Sequence, residues 1–490
     1  GLSYSQQYKD DEAIQAFRDT LRLSPNFFEA YIGIGRAYIN SNRNEEAIGP
    51  LKNAITINPG HTDSYERLGA AYQNLGQHDK ALAPYQEFAR IDFRNAVAHF
   101  KLGVAYSRLT RNRDAIKSFQ EATKLNNEFP EAHFNMGWLY QELGEPDNAL
   151  EQYEKVVFLD PKNLEAYFNM GEIHEIFKRY EEAIQNFQSA IDIDPNHVEG
   201  HVRLGWNYAK LQHSEEALAE FQAALEIDPD REQTYYRLGV TYGELERFSE
   251  GLESLQKGLR LNPNHLDTLF QLGRFNSILG NYQKSTNHLN KLLKLAPNYS
   301  EVGLLLGKNL AELNQFENAL PHLEKAIQQQ PDSFESQFYL GLTLIRLNRP
   351  ADAIAPLEKA VKIEPDSSLT FNHLGQTYQM LKMFPEANFS YKQATRIEPN
   401  FTDAYNKLGT LYTFQKDYKM AIKMFQGAIQ SNPKLQSGYF NLGMIYEILG
   451  RHLEAIEQYR NILAINPDHQ KALFNLGWVM MDENRFMEAI

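Results

Sequence analysis

One residue type, glycine, recurs along this chain at a fixed interval. Fourteen of the 29 glycines follow one another at a spacing of 34 residues, without insertion or deletion, and Gly1 falls on the same lattice. They are Gly35, Gly69, Gly103, Gly137, Gly171, Gly205, Gly239, Gly273, Gly307, Gly341, Gly375, Gly409, Gly443 and Gly477. A period of this length is the sequence signature of a repeat architecture. The 490 residues are therefore expected to form a stack of one repeated unit, although their number alone would suggest three or four domains.

A 34-residue frame, numbered so that the recurrent glycine is position 8, predicts two helices in each repeat. Small, apolar or aromatic residues recur at positions 4, 7, 8 and 11 and again at 20, 24 and 27, which is helical spacing. We expect a first helix over positions 2–14 and a second over 18–31. Proline is common at position 32 and ends the second helix because it lacks an N–H group. Asn or Asp at position 33 with an acidic residue at position 2, as in Asn196 and Glu199, predicts a capping box.

The recurrent glycine itself predicts tight packing. Glycine inside a helix costs about 1 kcal/mol relative to alanine. Repeating that cost in every frame is explained if the paired helix passes too close for a Cβ atom.

The frame resembles that of the tetratricopeptide repeat family. The resemblance rests on Tyr38 and Tyr72 at position 11, Ala47 and Ala81 at position 20, Pro59 at position 32, and their counterparts along the chain. It implies an all-α fold, an α-solenoid in which antiparallel helix pairs form a right-handed superhelix. It also implies that the first helices line a concave groove, which positions 2, 5, 6, 9, 12 and 13 face.

The frame also predicts the domain organisation. We expect a single continuous solenoid over residues 1–490, with a partial repeat at 1–27, thirteen full repeats at 28–469 and a partial repeat at 470–490. Solenoids normally end in polar capping repeats, and neither end shows one. The sequence is therefore interpreted as a fragment of a longer chain, and its uncapped ends would allow self-association.

The pattern is weakest between residues 232 and 331. Gly251 and Ser285 replace alanine at position 20, and Asn276 replaces the aromatic residue at position 11. These changes predict a cavity or a loose helix contact. Two interpretations remain open: drift within a tolerant core, or a flexible joint or partner seat.

Composition and motifs argue against several classes of function. The net charge of −14 argues against non-specific nucleic-acid binding, and no apolar run approaches the ~18–20 residues of a membrane span. The chain has no cysteine, which excludes disulfides and thiolate metal sites and favours a bacterial protein. It does not fix the compartment, for which a cytoplasmic and a bacterial periplasmic location both stay open. No phosphate-binding loop, HExxH motif or nucleophile elbow is present. We therefore expect no enzyme activity, no catalytic residue, no cofactor and no metal; His197 and His201 are interpreted as structural histidines.

Aromatic residues mark a candidate partner-binding groove. All three tryptophans fall at position 9, which random placement would give about once in a thousand. Positions 5 and 9 meet on one helical face, and exposed aromatic rings are favoured anchors for a partner. The alternative is that these rings pack between first helices. The candidate aromatic residues are Phe100, Phe134, Trp138, Phe168, Trp206, Tyr236 and Phe270.

Four cations at groove positions complete the candidate site: Arg203, Arg237, Arg274 and Lys308. A row of inward-facing cations would bind carboxylates or the carbonyl groups of an extended peptide. The alternative is scattered surface charge, because acidic residues such as Glu172 also fall on groove positions.

Two specialised branches of the family fit less well. One binds C-terminal carboxylates with Lys at position 5 and Asn at position 9, and this chain has neither. Another, attached to a sugar transferase, carries an asparagine ladder at position 6. Asn135, Asn169, Asn441 and Asn475 match that ladder, but Arg67, Lys101, Arg203 and Arg237 interrupt it.

We therefore expect a non-catalytic scaffold that binds an extended or helical segment of a protein partner in its concave groove and helps to assemble a multiprotein complex. Three alternatives remain: a regulatory or substrate-recruiting arm of a larger enzyme, such as a glycosyltransferase, a structural component of a large assembly, and a carbohydrate-binding groove.

Overall fold

A computed structural model describes residues 2–299 and 301–482. Over this part of the chain the regular structure consists of 28 α-helices and no strand. The chain divides into two compact units, unit 1 over residues 1–245 and unit 2 over residues 246–490. This confirms the predicted all-α fold of helix pairs.

Unit 1 contains fourteen helices, joined by short turns. They are α1 (Leu2–Leu23), α2 (Phe28–Asn40), α3 (Asn44–Ile57), α4 (Thr62–Asn74), α5 (His78–Ile91), α6 (Ala96–Arg108), α7 (Asn112–Leu125), α8 (Pro130–Glu142), α9 (Pro146–Leu159), α10 (Leu164–Ile176), α11 (Tyr180–Ile193), α12 (Val198–Lys210), α13 (Ser214–Ile227) and α14 (Glu232–Glu244).

Unit 2 contains the other fourteen described helices. They are α15 (Phe248–Leu261), α16 (Leu266–Ile278), α17 (Tyr282–Leu295), α18 (Val302–Glu312), α19 (Phe316–Gln329), α20 (Phe334–Arg346), α21 (Pro350–Ile363), α22 (Ser368–Met380), α23 (Phe384–Ile397), α24 (Thr402–Phe414), α25 (Tyr418–Ser431), α26 (Gln436–Ile448), α27 (His452–Ile465) and α28 (Gln470–Asp482).

The helix bounds follow the frame closely. In the full repeats the first helix occupies positions 1–13, except that α18 begins two residues later, and the second occupies positions 17–30. The predicted bounds are therefore right to within about one residue. Position 15 turns the chain between the two helices with a left-handed backbone, φ +56° to +74°. In α1 this position is Tyr8, a bulky residue for which that conformation is unfavourable, and the helix continues through it.

The first helices are capped one position later than the sequence predicts. The N-cap residue lies at position 34, where Asn163, His197 and Ser333 each accept a hydrogen bond from a backbone N–H group of the following first turn. The predicted capping box at position 33 is therefore wrong. Asn196, at that position, instead donates its backbone N–H to Asp194 at position 31, because an Asx turn connects the end of the second helix to the cap.

The recurrent glycine makes room for one large side chain. At twelve of the position 8 glycines, an added Cβ atom would lie 2.5–2.9 Å from the side chain at position 24 of the same repeat, as between Gly137 and Tyr153. The position 24 side chains are Leu, Phe or Tyr and are almost completely buried. Burying such a side chain contributes about 1.5–3 kcal/mol, which offsets the cost of glycine in the first helix.

The first helices lie on the more closely packed side of each unit. Consecutive first helices contact each other directly, for example α12 with α14 in unit 1 and α22 with α24 and α24 with α26 in unit 2. Consecutive second helices make less contact with one another in the described residues. The surface of each unit formed by positions 2, 5, 6, 9, 12 and 13 is called its first-helix face below.

Buried polar side chains of unit 2 occupy core positions in the part of the chain where the repeat pattern is weakest. Asn309 donates to Ser285 Oγ at 2.7 Å and accepts from Ser277 Oγ at 2.6 Å, and Ser285 donates to the carbonyl oxygen of Gly273 at 2.5 Å. Asn276 donates to the carbonyl oxygen of Leu272. These hydrogen bonds take the place of the Ala and Tyr packing found in other repeats and compensate for the burial of the polar side chains.

Candidate functional site on the first-helix faces

The candidate aromatic residues at position 5 are half-buried or buried. Three of them pack against the position 24 ring of their own repeat with centroid distances of 5.4–5.6 Å, in the pairs Phe100–Phe119, Phe134–Tyr153 and Phe168–Phe187. Tyr236 is half-buried as well, and Phe270 is buried and packs against Tyr299. One edge of most of these rings faces solvent, while the rest of the ring stabilises the helix pair.

The two candidate tryptophans have different surroundings. Trp138 leaves 45% of its surface exposed on the first-helix face of unit 1. Trp206 is half-buried between two cations, with Lys210 Nζ 4.1 Å and the Arg237 guanidinium carbon 4.6 Å from the ring centroid. Cations over an indole ring are held by its quadrupole, so Trp206 is largely engaged within the protein.

Arg203 is surrounded by carboxylates. Its guanidinium donates to Glu172 on α10 at 3.0 Å, to Glu175 on α10 at 3.0 Å and to Glu199 on α12 at 3.1 Å. Glu199 also pairs with Arg231 at 2.7 Å. The cations of this surface are thus used in holding α10, α12 and the start of α14 together.

Burial changes the acidity of two groups in this cluster. Burial raises the pKa of Glu172, while the charge of Arg203 opposes that rise. Burial lowers the pKa of Arg237, and the nearby positive charge of Arg203 acts in the same direction. One Nη atom of Arg237 is buried without a hydrogen-bond partner in the described part of the chain. Its guanidinium contacts the Trp206 ring, and the negative charges of Glu175 and Glu199 also favour its protonated form.

The two candidate cations of unit 2 also contact rings. The Arg274 guanidinium carbon lies 5.3 Å from the centroid of Phe275, and Lys308 Nζ lies 5.3 Å from the centroid of Tyr339 on the next first helix, α20. Both side chains are half-buried. They sit on different repeats of unit 2, and each has its own aromatic partner.

The acidity of the chain is concentrated in one part of unit 1. Residues 130–231 contain 21 Asp and Glu against 7 Lys and Arg, so these three repeats account for the whole net charge of −14. Glu131, Glu142 and Glu165 are exposed at first-helix face positions of the same repeats. This face therefore presents negative charge around Trp138.

The structure also shows a row of exposed apolar side chains that are not among the candidate residues predicted from the sequence. Met380, Phe414 and Ile448 occupy position 13 on α22, α24 and α26, three consecutive first helices of unit 2, and all three are exposed. The signal was present in the sequence, since position 13 is polar or charged in eight of the ten preceding repeats.

The histidines singled out in the sequence have structural partners. His197 Nδ1 accepts the N–H of Gly200 as an N-cap, and His201 contacts Glu220 through Nδ1 at 2.6 Å and the Pro195 carbonyl through Nε2 at 3.1 Å. In the described ranges no group of three or more His, Asp or Glu side chains is arranged to hold a metal ion. Nor is any described helix both long and apolar enough to cross a membrane.

Comparison with protein-family sequence models identifies the family of this chain. Models of the tetratricopeptide repeat match residues 1–62, 51–83, 111–144, 134–198, 177–239, 232–265, 266–299, 304–368, 402–435 and 436–469. The chain belongs to the tetratricopeptide repeat (TPR) family. As a TPR protein it is of the protein-interaction scaffold class.

Solved structures similar to the TPR chain include YrrB, MamA and Naa15/Naa10 bound to HypK-THB. YrrB, a TPR protein with an unusual peptide-binding site, shares 20% identity, with a TM-score of 0.35 over 38% of this chain and 95% of its own. MamA shares 26% identity, with a TM-score of 0.33 over 34% of this chain and 97% of its own. Naa15/Naa10 bound to HypK-THB shares 13% identity, with a TM-score of 0.38 over 100% of this chain and 98% of that one. None of the curated proteins compared with the chain matches it.

Proposed function

We propose that this TPR protein is a non-catalytic scaffold that binds an extended or helical segment of a partner protein on its first-helix faces and helps to assemble a multiprotein complex. The observation that supports the proposal most directly is Trp138, a large aromatic side chain that leaves 45% of its surface exposed on the first-helix face. Aromatic side chains that are rigid and accessible are favoured anchors at protein interfaces.

The electrostatics of unit 1 bear on which segment this face binds. Arg203 already has three carboxylate partners, and Arg237 is engaged by the Trp206 ring. Neither is free to bind a partner carboxylate without losing those contacts. The exposed glutamates around Trp138 favour a partner segment with positive charge, because complementary charges speed association and disfavour wrong partners.

The decisive experiment is affinity purification of the protein from its native cells with quantitative mass spectrometry. Wild type is compared with Trp138→Ala and with Phe158→Ala, a matched control on the second helix α9 whose ring is 84% exposed. We expect Trp138→Ala to reduce the capture of specific partners at least about tenfold, as interface anchors do, while Phe158→Ala retains them.

Each other outcome favours a different function. If both substitutions reduce capture, contacts on several faces indicate a structural component of a large assembly. If neither does, the first-helix face of unit 1 is not the partner site and the proposal fails. The complete open reading frame tests the enzyme alternative, because a catalytic domain encoded beside the repeats would make this region a recruiting arm of an enzyme.

A further inference from the structure

Three consecutive first helices of unit 2 present exposed apolar side chains at one frame position. Met380 on α22, Phe414 on α24 and Ile448 on α26 are 42%, 68% and 56% exposed. Exposed apolar residues scattered singly are normal, but a contiguous group marks an interaction site. These three residues are called the apolar row below.

A cleft lies between the last two helices of the row. It has a volume of about 290 Å³ and opens between α24 and α26. Its lining contains no charged side chain and consists of Thr410, Thr413, Phe414, Phe425, Asn441, Met444, Ile445 and Ile448. Because Met444 is flexible and polarisable, this lining suits an apolar side chain from outside the protein.

Positive charge borders the apolar row on one side. Lys382 and Lys416 occupy position 15, two residues after Met380 and Phe414, in turns with φ +61° and +63°. Both are exposed, and neither forms an ion pair with a described residue. Lys407, in contrast, is engaged by Asp403 at 2.9 Å. The repeat at residues 402–435 carries 5 Lys against 2 Asp, although the chain as a whole is acidic.

The spacing of the row favours a helical occupant. Packed helices lie roughly 8–10 Å apart, so side chains at one frame position repeat at about that distance across α22, α24 and α26. A helix returns to the same face after seven residues, or roughly 10.5 Å. A strand presents the same face every roughly 6.6 Å and points its intervening side chains away, which leaves it out of register with the row.

We propose that the apolar row binds an amphipathic helix of a partner protein. Apolar side chains of that helix at i, i+7 and i+14 contact Met380, Phe414 and Ile448, and its acidic side chains lie along the edge formed by Lys382 and Lys416. The inference rests on the proposed function and adds the class of partner that unit 2 binds.

The test uses three synthetic peptides of about 21 residues with the same leucine stripe at heptad spacing. Their flanking positions carry Glu, Gln or Lys, and binding to the whole protein is measured by fluorescence anisotropy at low salt. We expect the Glu peptide to bind at least about tenfold more tightly than the Lys peptide, with the Gln peptide between them. The double substitution Lys382→Glu with Lys416→Glu is expected to reverse that order.

Two substitutions locate the site. Phe414→Asp is expected to weaken the Glu peptide at least about tenfold. Ile278→Asp is the matched control, since Ile278 has the same frame position in unit 2 and is 54% exposed, and it is expected to leave binding unchanged. Because Phe414→Asp lies on the surface, an unchanged circular dichroism spectrum shows that the fold is retained, and Phe414→Gln serves as a second variant.

The inference is overturned if the Glu peptide does not bind, if the three peptides bind alike, or if binding survives Phe414→Asp. It is also overturned if a peptide with strand-like alternation binds more tightly than the helical one. The two proposals fail separately. Loss of the Glu peptide through Trp138→Ala, with no effect of Phe414→Asp, would overturn this inference and leave the unit 1 site. Partner capture that is unchanged by Trp138→Ala would remove the unit 1 site, while peptide binding that depends on Phe414 would leave this one.

Discussion

The guanidinium carbon of Arg237 lies 4.6 Å from the centre of the Trp206 ring, which joins α14 to α12 across a repeat boundary. Lys210, one turn after Trp206 on α12, places its Nζ 4.1 Å from the same ring. A half-buried tryptophan thereby replaces a carboxylate as the partner of a half-buried arginine.

The first prediction concerns the energy of this contact. In a double-mutant cycle with Trp206→Leu and Arg237→Met, we expect a coupling free energy of about 0.5–2 kcal/mol, the range for cation–π pairs. Hydrogen exchange of α12 and α14 amides measures the local stability directly. Trp138, which has no such cation in the described residues, serves as control. Strictly additive effects of the two substitutions would show that the contact contributes nothing.

The second prediction concerns the recurrent glycine. Gly137→Ala places a Cβ atom 2.7 Å from the Tyr153 ring, so overpacking is expected to destabilise the protein by about 1–3 kcal/mol. Gly49→Ala is the control, because no atom outside its own helix backbone and chain neighbours lies within 4 Å of its added Cβ atom. Since Pro50 follows it and disfavours a side chain on the preceding helical residue, the gain expected from helix propensity is largely offset. Urea unfolding measures both. Equal effects in the two variants would contradict the steric account.

The third prediction concerns the Arg203 cluster. Arg203→Met removes the shared partner of Glu172, Glu175 and Glu199, and we expect a loss of about 1–3 kcal/mol at pH 7.5. The pKa of Glu172, already raised by burial, rises further in the variant. Because the folded state then binds a proton that the unfolded state releases, the variant should recover stability as the pH falls toward 5.

Urea unfolding at pH 7.5 and pH 5 measures that recovery. Arg90→Met is the control, since Arg90 pairs with Glu87 on an exposed surface, and no measurable change is expected there. A loss in Arg203→Met that is the same at both pH values would show that carboxylate repulsion is not its cause.

The fourth prediction concerns acid sensitivity in unit 2. Burial lowers the pKa of His373 to about 4, with the charge of Lys407 acting in the same direction and that of Asp403 opposing it. The unfolded chain, with a histidine pKa near 6.5, binds the proton first, so this contribution to stability is complete above about pH 6.5 and is lost as the pH falls toward 4. The contribution is on the order of 1–3 kcal/mol.

His373→Asn removes this titration and is sterically reasonable, because Asn441 and Asn475 occupy the same frame position. The variant is expected to lose less stability than wild type between pH 7 and pH 5 in urea unfolding. Parallel pH profiles for the two proteins would assign the acid sensitivity to other groups.

The fifth prediction concerns domain organisation. Since the 34-residue lattice runs through residue 245 without a break, we expect one continuous solenoid and no preferred proteolytic site there. Trypsin cleavage after Arg247 is compared with cleavage after Arg111, which has the same frame position and an equivalent ion pair three residues on. Faster cleavage after Arg247 than after Arg111, with accumulation of both the N-terminal and the C-terminal fragment, would indicate two separate domains.

The repeat pattern predicts the helices well because the two helices of one repeat pack mainly against each other. The contact between Gly137 and Tyr153, for example, lies inside one frame. The N-caps were predicted one position too early. Position 33 has the spacing to position 2 that a capping box requires, but its backbone lies in the Asx turn and not at the start of the helix. In that turn Asp194 accepts a hydrogen bond from the backbone N–H of Asn196. The spacing of residue types alone does not distinguish such a turn from a capping box.

The candidate site was harder to predict, because its charges meet only after the repeats stack. Arg203 and Glu172 are 31 residues apart and belong to different frame positions, so a list ordered by position separates them. The apolar row was readable at position 13, but its exposure depends on the neighbouring first helices. Sequence periodicity thus describes what happens within a repeat better than what happens between repeats.

The buried hydrogen bonds between Asn309 and the serines Ser277 and Ser285 make two neighbouring repeats a matched pair. Loss or duplication of one 34-residue unit elsewhere preserves the frame and is structurally mild. A recombination event that separates these two repeats would strand an amide in an apolar interior. The protein can therefore change length over evolutionary time at many junctions, but this junction is expected to be inherited as a block.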